Sequence, residues 1–172
     1  TSYIENTVKF LSSLHFDVVV LRSSQPGAVG AAAAVDVLSV INGGSDDDHP
    51  TQAILDIYTI KRELGTLDGI KLAVVGRVDH RNVNALLMAL ALFREVQVML
   101  LQFTGQAKPE VLEYCRSAGL TVSVETTLDD FAQDLNAIYL NGAETAAHTQ
   151  LLMERGLVKV KVDEQLLRSL KP

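Results

Sequence analysis

One short segment of the chain gathers the side chains best suited to bind an anion or a carbonyl oxygen. It spans Asp46–Gln52 and reads DDDHPTQ. Pro50 is typical of the first turn of a helix, so His49 and Gln52 would lie beside the free N–H groups of a helix N-terminus. One turn separates the two side chains, so both can face one ligand. His49 could donate to a carbonyl oxygen, and Gln52 could accept from an NH₂ group.

A simpler interpretation of this segment exists, and the spacing alone favours it. The aspartates before Pro50 could cap the helix and interact favourably with its dipole. The three aspartates with His49 could also suggest a metal site, but no second cluster of ligands in the sequence supports one. We therefore expect no metal.

Three arginines follow apolar strands, at the edge of an open α/β sheet where ligands bind. Arg22 comes directly after an apolar run, and Arg77 and Arg81 lie in a polar segment after Val74–Gly76. Arg77 and Arg81 could pair with a carboxylate or a phosphate, but solvated loop arginines are an equally good interpretation. An isolated arginine such as Arg22 is more often a surface residue than a ligand.

Other chemistries fit the sequence poorly. The loop after Val74–Gly76 lacks the G-x-G-x-x-G pattern, and no acidic residue closes the next strand to hold a ribose, so we reject nicotinamide binding. Cys115 lies within a helical pattern and has no paired histidine in sequence. It is better explained as a structural thiol than as a nucleophile.

Composition restricts the class of protein further. The 172 residues are 48% hydrophobic, and their 15 basic and 21 acidic side chains give a net charge of −6, which disfavours nucleic acid as the main partner. No apolar run is long enough to span a membrane, no signal peptide opens the chain, and the single cysteine fits a reducing compartment. We expect a soluble, cytoplasmic protein. Because the chain begins at Thr1 rather than Met, we also expect processing or a fragment.

The elements that would position these residues alternate between strands and helices. This alternation predicts an α/β fold with a doubly wound parallel sheet, and the continuously apolar strands are typical of strands covered on both faces. The predicted strands are Asp17–Leu21, Ser39–Asn42, Ile70–Val75, Val96–Phe103, Leu120–Val124 and Ala137–Leu140. The predicted helices are Ser2–Leu14, Pro50–Leu64, Asn82–Phe93, Pro109–Ala118, Leu128–Asp134 and Glu144–Glu154, and the small-residue stretch Gly27–Ala34 fits a tightly packed helix or loop.

The longest specific pattern in the chain is His49–Gly76, which reads HPTQAILDIYTIKRELGTLDGIKLAVVG. It resembles the H-P-T-Q-x-x-L-D-x-x-T-I pattern of the aspartate carbamoyltransferases, followed by their G-x-L-x-G-x-x-x-A-x-V-G strand. Val19–Ala28 resembles the R-H-P-x-x-G-A segment of that family, and Tyr3–Thr7 resembles its E-x-x-x-D-T stretch. The resemblance covers essentially the whole chain but only the middle of a family member.

The resemblance implies an aspartate/ornithine carbamoyltransferase-like fold with an incomplete first domain. Residues 1–49 would be the remnant of the carbamoyl-phosphate-binding domain, residues 50–64 a linking helix, and residues 65–172 an aspartate-binding-like α/β domain. Members of the family transfer a carbamoyl group from carbamoyl phosphate to L-aspartate in pyrimidine biosynthesis, without a cofactor, as trimers whose subunits share active sites. The resemblance therefore also implies a homotrimer or a larger assembly.

The resemblance also implies roles for individual residues. Arg22 and His49 would hold the carbonyl oxygen of carbamoyl phosphate and stabilise the charge that develops on it, and Gln52 would orient its NH₂ group. Arg81 would bind a carboxylate of aspartate. We expect Arg77 and Thr51 to contact the substrates as well.

Several segments depart from the family pattern. The S-T-R-T phosphate loop and the lysine loop would precede Thr1, and the H-P-L-P-R segment would follow Pro172. The R-x-Q motif falls at Gly142–Glu144 and lacks its arginine, which removes a fork for a carboxylate of aspartate. Asn42–Asp46 replaces N-A-G-D-G, and the aspartates beside it would repel a phosphate.

These departures leave two alternatives to an aspartate carbamoyltransferase. One is a catalytically impaired paralogue that serves as a scaffold or binds a small molecule. The other is a transferase for a different amine acceptor, with an intact carbamoyl site and a changed acceptor pocket.

Overall fold

The computed structural model describes residues 2–104, 106–125 and 134–141. The helices are α1 (Ser2–Ser13), α2 (Ala28–Ala33), α3 (Pro50–Leu64), α4 (Arg81–Leu90) and α5 (Pro109–Ser117). The strands are β1 (Val18–Leu21), β2 (Ser39–Asn42), β3 (Lys71–Arg77), β4 (Gln97–Thr104), β5 (Thr121–Glu125) and β6 (Ala137–Asn141). The bounds agree with the predicted ones to within three residues. The predicted helices Leu128–Asp134 and Glu144–Glu154 lie outside the described residues, apart from Asp134 itself.

The strands form two parallel sheets. The larger sheet has the order β5-β4-β3-β6, and β1 pairs with β2 in a sheet of its own. The predicted α/β class with parallel strands is therefore confirmed. In the larger sheet the chain runs outward from β3 to β5 and then returns to β6 on the other side of β3. Open α/β sheets typically bind ligands beside such a reversal, at the carboxyl ends of the strands on either side of it, which here are β3 and β6.

The larger sheet holds the main hydrophobic core. Most of β3 is buried, and Val74 on it and Leu100 on β4 are fully buried. Helix α4 packs onto this core with Val83 and Leu86, both also fully buried. A continuously apolar strand such as β3 requires cover on both faces, and here the sequence pattern predicted the burial correctly.

The smaller sheet is covered less completely. Val18 and Val20 on β1 are 47% and 63% exposed, and Ile41 on β2 is 44% exposed. The described residues provide a second layer on only one side of these two strands, so their other face remains open. An apolar strand sequence is therefore not sufficient for burial, because cover depends on the neighbouring layers.

Helix α3 runs from the smaller sheet to the core of the larger one. It begins at Pro50 and ends at Gly65, whose φ of 78° is the left-handed conformation that glycine adopts at a helix C-terminus. Its partly buried Ile57, Ile60 and Leu64 pack against the main core. The C-terminal half of α3 is therefore fixed by packing, which holds its N-terminus in place. No helix in the described ranges is long and apolar enough to cross a membrane.

The contact between β3 and β6 depends on one glycine. Gly76 has a φ of 120°, and a Cβ at this position would lie 2.1 Å from the carbonyl oxygen of Asn141. The Asn141 side chain in turn donates to the carbonyl oxygen of Arg77 at 2.8 Å. Only a residue without a side chain lets the two strand ends approach so closely.

We predict that Gly76→Ala lowers the free energy of unfolding by about 2 kcal/mol or more, because the new methyl group clashes with backbone and the φ is unfavourable. Chemical denaturation measures the change. Gly30→Ala is the matched control, since Gly30 lies in α2 with open space around its Cα, and it should be neutral or slightly stabilising. Equal effects of the two substitutions would contradict the close approach of β3 and β6.

Candidate active site

Three segments meet at the carboxyl ends of β1 and β2. Arg22 directly follows β1, residues 43–45 follow β2, and His49 precedes α3. The Arg22 Nη1 atom lies 2.9 Å from His49 Nε2 and 3.5 Å from the carbonyl oxygen of Gly43. The structure thus brings the two residues expected at the carbonyl oxygen into direct contact. It leaves Arg22 exposed to solvent, where a ligand can reach it.

His49 is the N-cap of α3. Its Nδ1 atom accepts from the backbone N–H of Gln52 at 3.3 Å. The interpretation in which the aspartates cap this helix is therefore wrong. Asp48 instead accepts from the backbone N–H of His49 at 2.8 Å, and this bond fixes the residue that caps the helix. The side chain that caps α3 is therefore an imidazole and not a carboxylate.

The imidazole of His49 meets donor groups on both sides. The Gln52 N–H lies at Nδ1, and the guanidinium of Arg22 lies at Nε2. A neutral imidazole accepts at only one ring nitrogen. With Nδ1 as the acceptor, the proton is on Nε2, and two donors face each other. An oxygen atom that accepts from both Arg22 and Nε2–H would remove this conflict, so the arrangement favours a carbonyl or anionic oxygen.

The surroundings of His49 also favour its neutral form. Burial lowers the pKa of the ring below 6.5, and the positive charges of Arg22 and Arg81 lower it further. Hydrogen bonding to the backbone of His49 itself and the negative charge of Asp48 raise the pKa, but less strongly. A neutral imidazole that donates from Nε2 can polarise a carbonyl group without first losing a proton.

Gly44 leaves room for this pair of side chains. A Cβ at Gly44 would lie 3.1 Å from Arg22 Nη1 and 3.1 Å from His49 Nε2, and its φ of 123° is one that other residues rarely adopt. Asn42 holds the loop by accepting from the Gly44 N–H at 2.8 Å. The approach to Arg22 and His49 therefore stays open because position 44 has no side chain.

Ser45 organises the rest of the loop. Its hydroxyl donates to Asp47 at 2.8 Å and accepts from the backbone N–H of Asp48 at 3.1 Å. Its backbone carbonyl accepts from Arg81 Nη1, which joins the start of α4 to this loop. Arg81 was predicted from the sequence as a substrate-binding residue, but its contact with Ser45 was not. Asp47, one of the three aspartates, is thereby bonded within the loop.

Of the other two predicted substrate-binding residues, one lies beside His49 and the other does not. Thr51 lies in the cluster, with its hydroxyl 3.3 Å from His49 Nδ1. Arg77 does not, because it is exposed at the end of β3 and pairs with Asp79 at 3.2 Å. Between Arg77 and Arg81, His80 caps α4 by accepting from the Asn82 N–H at 3.4 Å. Burial, Arg77 and Arg81 lower the pKa of His80.

Gln52 has a partner that sequence analysis missed. Its Nε2 donates to Asp56 at 2.9 Å, and the other carboxylate oxygen of Asp56 accepts from the Tyr139 hydroxyl at 3.1 Å. The four-residue spacing of Gln52 and Asp56 on a helix could have revealed the first contact. The second joins residues 83 positions apart, for which the sequence holds no local signal.

The sequence singled out two further places, Gly142–Glu144 and Cys115. Gly142–Glu144, where the family pattern loses its arginine, is outside the described residues. Cys115 is fully buried in α5, and burial raises the pKa of its thiol. The interpretation of Cys115 as a structural thiol agrees with this burial.

Comparison with known proteins identifies the family that this architecture resembles. Residues 2–62 match the model of the aspartate/ornithine carbamoyltransferase carbamoyl-P binding domain. The chain is 38% identical over 137 residues to the aspartate carbamoyltransferase catalytic subunit of Pyrobaculum neutrophilum, a match that covers 78% of this chain and 45% of that protein. The catalytic subunit of Methanocaldococcus jannaschii is 33% identical over 138 residues, with 45% of it covered. The chain thus spans about 45% of the length of these curated relatives.

Solved structures give the same result for the fold. Aspartate transcarbamoylase from Trypanosoma cruzi in complex with carbamoyl phosphate superposes with a TM-score of 0.80 at 27% identity, over 98% of this chain and 56% of that one. The catalytic subunit of the M. jannaschii enzyme gives a TM-score of 0.72 at 28% identity, over 91% and 55% of the two chains. The family resemblance read from His49–Gly76 is therefore confirmed.

We predict that NMR titration of the histidine rings gives a pKa below 6.5 for both His49 and His80. Arg22→Gln should raise the pKa of His49 but not of His80, and Arg77→Gln should do the reverse, because each removes a nearby positive charge. Because folding lowers both values, protonation favours the unfolded state. Above pH 6.5 both rings are neutral in the folded and unfolded states, and they do not change the free energy of unfolding. As the pH falls below 6.5, the unfolded state binds protons first, so the free energy of unfolding decreases. A His49 pKa unchanged by Arg22→Gln would contradict the contact.

Proposed function

We propose that this chain, which is related over most of its length to the aspartate carbamoyltransferases, takes part in the transfer of a carbamoyl group from carbamoyl phosphate to L-aspartate. The observation that carries the proposal is the pair Arg22 and His49 beside Gly44, with Gln52 one helical turn away. These groups match the three needs of a bound carbamoyl group. Its oxygen needs donors, its NH₂ needs an acceptor, and its carbon needs open access for the attacking amine.

In the proposed reaction the amine nitrogen of the acceptor attacks the carbonyl carbon of carbamoyl phosphate. The carbonyl oxygen gains negative charge as the tetrahedral intermediate forms. The bond to phosphate then breaks, and the leaving phosphate takes the proton that the amine gives up. Arg22 and the Nε2–H of His49 both donate to this oxygen. Their donation strengthens as charge builds, and each such donor contributes about 3 kcal/mol to transition-state stabilisation.

The remaining residues position the two substrates. Gln52 accepts from the carbamoyl NH₂ through its carbonyl oxygen, and Thr51 supports the His49 ring at Nδ1. Arg81 lies at the start of α4, where its bond to the neutral Ser45 carbonyl can be exchanged for a stronger bond to a carboxylate of the acceptor. Arg77 is a weaker candidate for the second carboxylate, because Asp79 already pairs with it.

Binding of the phosphate group needs further segments. The S-T-R-T pattern of the family matches no part of the 172 residues. We propose that the phosphate is held by residues outside this sequence or by a neighbouring subunit of a homotrimer. The trimer and the cytoplasmic location remain predictions.

One sequence feature favours a second candidate, a carbamoyltransferase for another amine. Gly142–Glu144 replaces the family's R-x-Q, which removes a bidentate partner for a carboxylate and adds a negative charge. An acceptor with a neutral or positive group in place of a carboxylate would suit this change. Product analysis with a panel of amines distinguishes the two candidates, because only the first requires carbamoylaspartate to be the main product.

We predict that the full-length protein that contains this chain forms carbamoylaspartate, and that His49→Asn lowers kcat about 10²- to 10³-fold. Asparagine keeps an oxygen for the helix cap but removes the imidazole donor. His15→Asn is the matched control, since the exposed His15 has a φ of 63° that asparagine tolerates. A stopped assay for carbamoylated amine measures both. A folded protein that carbamoylates no amine would refute the proposal.

A further inference from the structure

The side-chain amide of Gln52 has two faces, and its orientation decides what it can recognise. In one orientation the carbonyl oxygen meets the ligand, and in the other the NH₂ group does. The contact between Gln52 Nε2 and Asp56 at 2.9 Å selects the first, because an ionised carboxylate only accepts hydrogen bonds. Within the described residues, no donor reaches the Oε1 atom of Gln52. That atom is therefore available to a ligand with an N–H group.

Tyr139 completes this arrangement from the larger sheet. Its hydroxyl donates to the second oxygen of Asp56 at 3.1 Å, and its ring packs against the main core. Burial, followed by the charge and hydrogen bond of Asp56, raises the pKa of Tyr139, so the phenol remains a donor at neutral pH. Asp56 thus accepts on both oxygens, from Tyr139 on one side and from Gln52 on the other, and neither bond can reverse.

We infer that Asp56 and Tyr139 are positioning residues that fix the Gln52 amide with its oxygen toward the ligand, so that the site selects an acyl phosphate with an NH₂ group over one with a methyl group. This inference rests on the proposed function, since it assigns Gln52 to the carbamoyl group. The selection follows from chemistry, because a methyl group leaves a polar oxygen without a donor, and such a loss is costly in a partly buried site.

Two phosphonates that differ in this one group test the inference. Phosphonoacetamide carries the NH₂ group, and acetonylphosphonate carries a methyl group in its place. Calorimetry on the full-length protein gives the ratio of their dissociation constants. In Asp56→Asn, Tyr139 still donates to the side-chain oxygen, so the new NH₂ group faces Gln52 and inverts its amide. We expect the preference for phosphonoacetamide to fall by about tenfold or more, while acetonylphosphonate binds within about twofold of its original affinity.

A second substitution separates positioning from a general structural role. In the double variant Asp56→Asn/Tyr139→Phe, the loss of the phenol hydroxyl releases the new amide at position 56, so the oxygen of that amide can again accept from Gln52. The double variant should therefore recover part of the preference that Asp56→Asn loses, whereas two independent structural losses would add. Tyr139→Phe alone should change the preference by less than about threefold, because Asp56 still accepts from Gln52.

Matched controls lie on the same helix. Glu63→Gln removes one negative charge from an exposed position of α3, and Tyr58→Phe removes one exposed phenol, so neither should alter the preference. An unchanged preference in Asp56→Asn, or a double variant worse than Asp56→Asn, would overturn the inference alone. If the unsubstituted protein bound neither phosphonate, the carbamoyl site itself would be wrong and the inference with it.

Discussion

The structure of the candidate site depends on the histidine that caps α3. A carboxylate at this position would bond the helix N-terminus more strongly and would also attract Arg22 as a permanent ion pair. The imidazole of His49 does neither, because burial and two nearby arginines keep it neutral. The helix is therefore capped by a group that still has a second ring nitrogen for other partners. Arg22 stays exposed beside it, and Gly44 leaves the space in front of both side chains open.

Helix α3 links this cap to the larger sheet. Its N-terminus carries His49 and Gln52, while Ile57, Ile60 and Leu64 pack against the core that β3 and β4 form. A shift of the helix along its axis would move the cap, the amide and the buried residues together. Packing at one end thus limits the freedom of the polar groups at the other end. Short polar contacts of modest individual strength can hold a defined geometry under such a constraint.

Much of this arrangement could be predicted from local sequence, and the remainder could not. Pro50 and Gly65 mark the ends of α3, and both bounds were correct because capping chemistry is local. The continuous apolar run of β3 predicted a buried strand, whereas the apolar residues Val18 and Val20 of β1 are exposed, since cover depends on neighbouring layers. His49 as the cap was missed because aspartates stand beside it. The contacts of Arg81 with Ser45 and of Asp56 with Tyr139 were missed because they join segments far apart in sequence.

The position of β6 in the larger sheet has a consequence for the order of folding. One helix separates β3 from β4, whereas β6 reaches β3 only after the chain has passed through β5, so its pairing closes the longest loop in the sheet. Contacts of this kind form late, because the entropy of the long loop must be lost first. During synthesis on the ribosome, α3 emerges well before Tyr139, which lies 83 residues beyond Asp56. A nascent chain would therefore hold the helix cap and Arg22 before it held Gln52 in a fixed orientation. The ability to discriminate between ligands would arise only when β6 joins the sheet, after the groups that bind them are already in place.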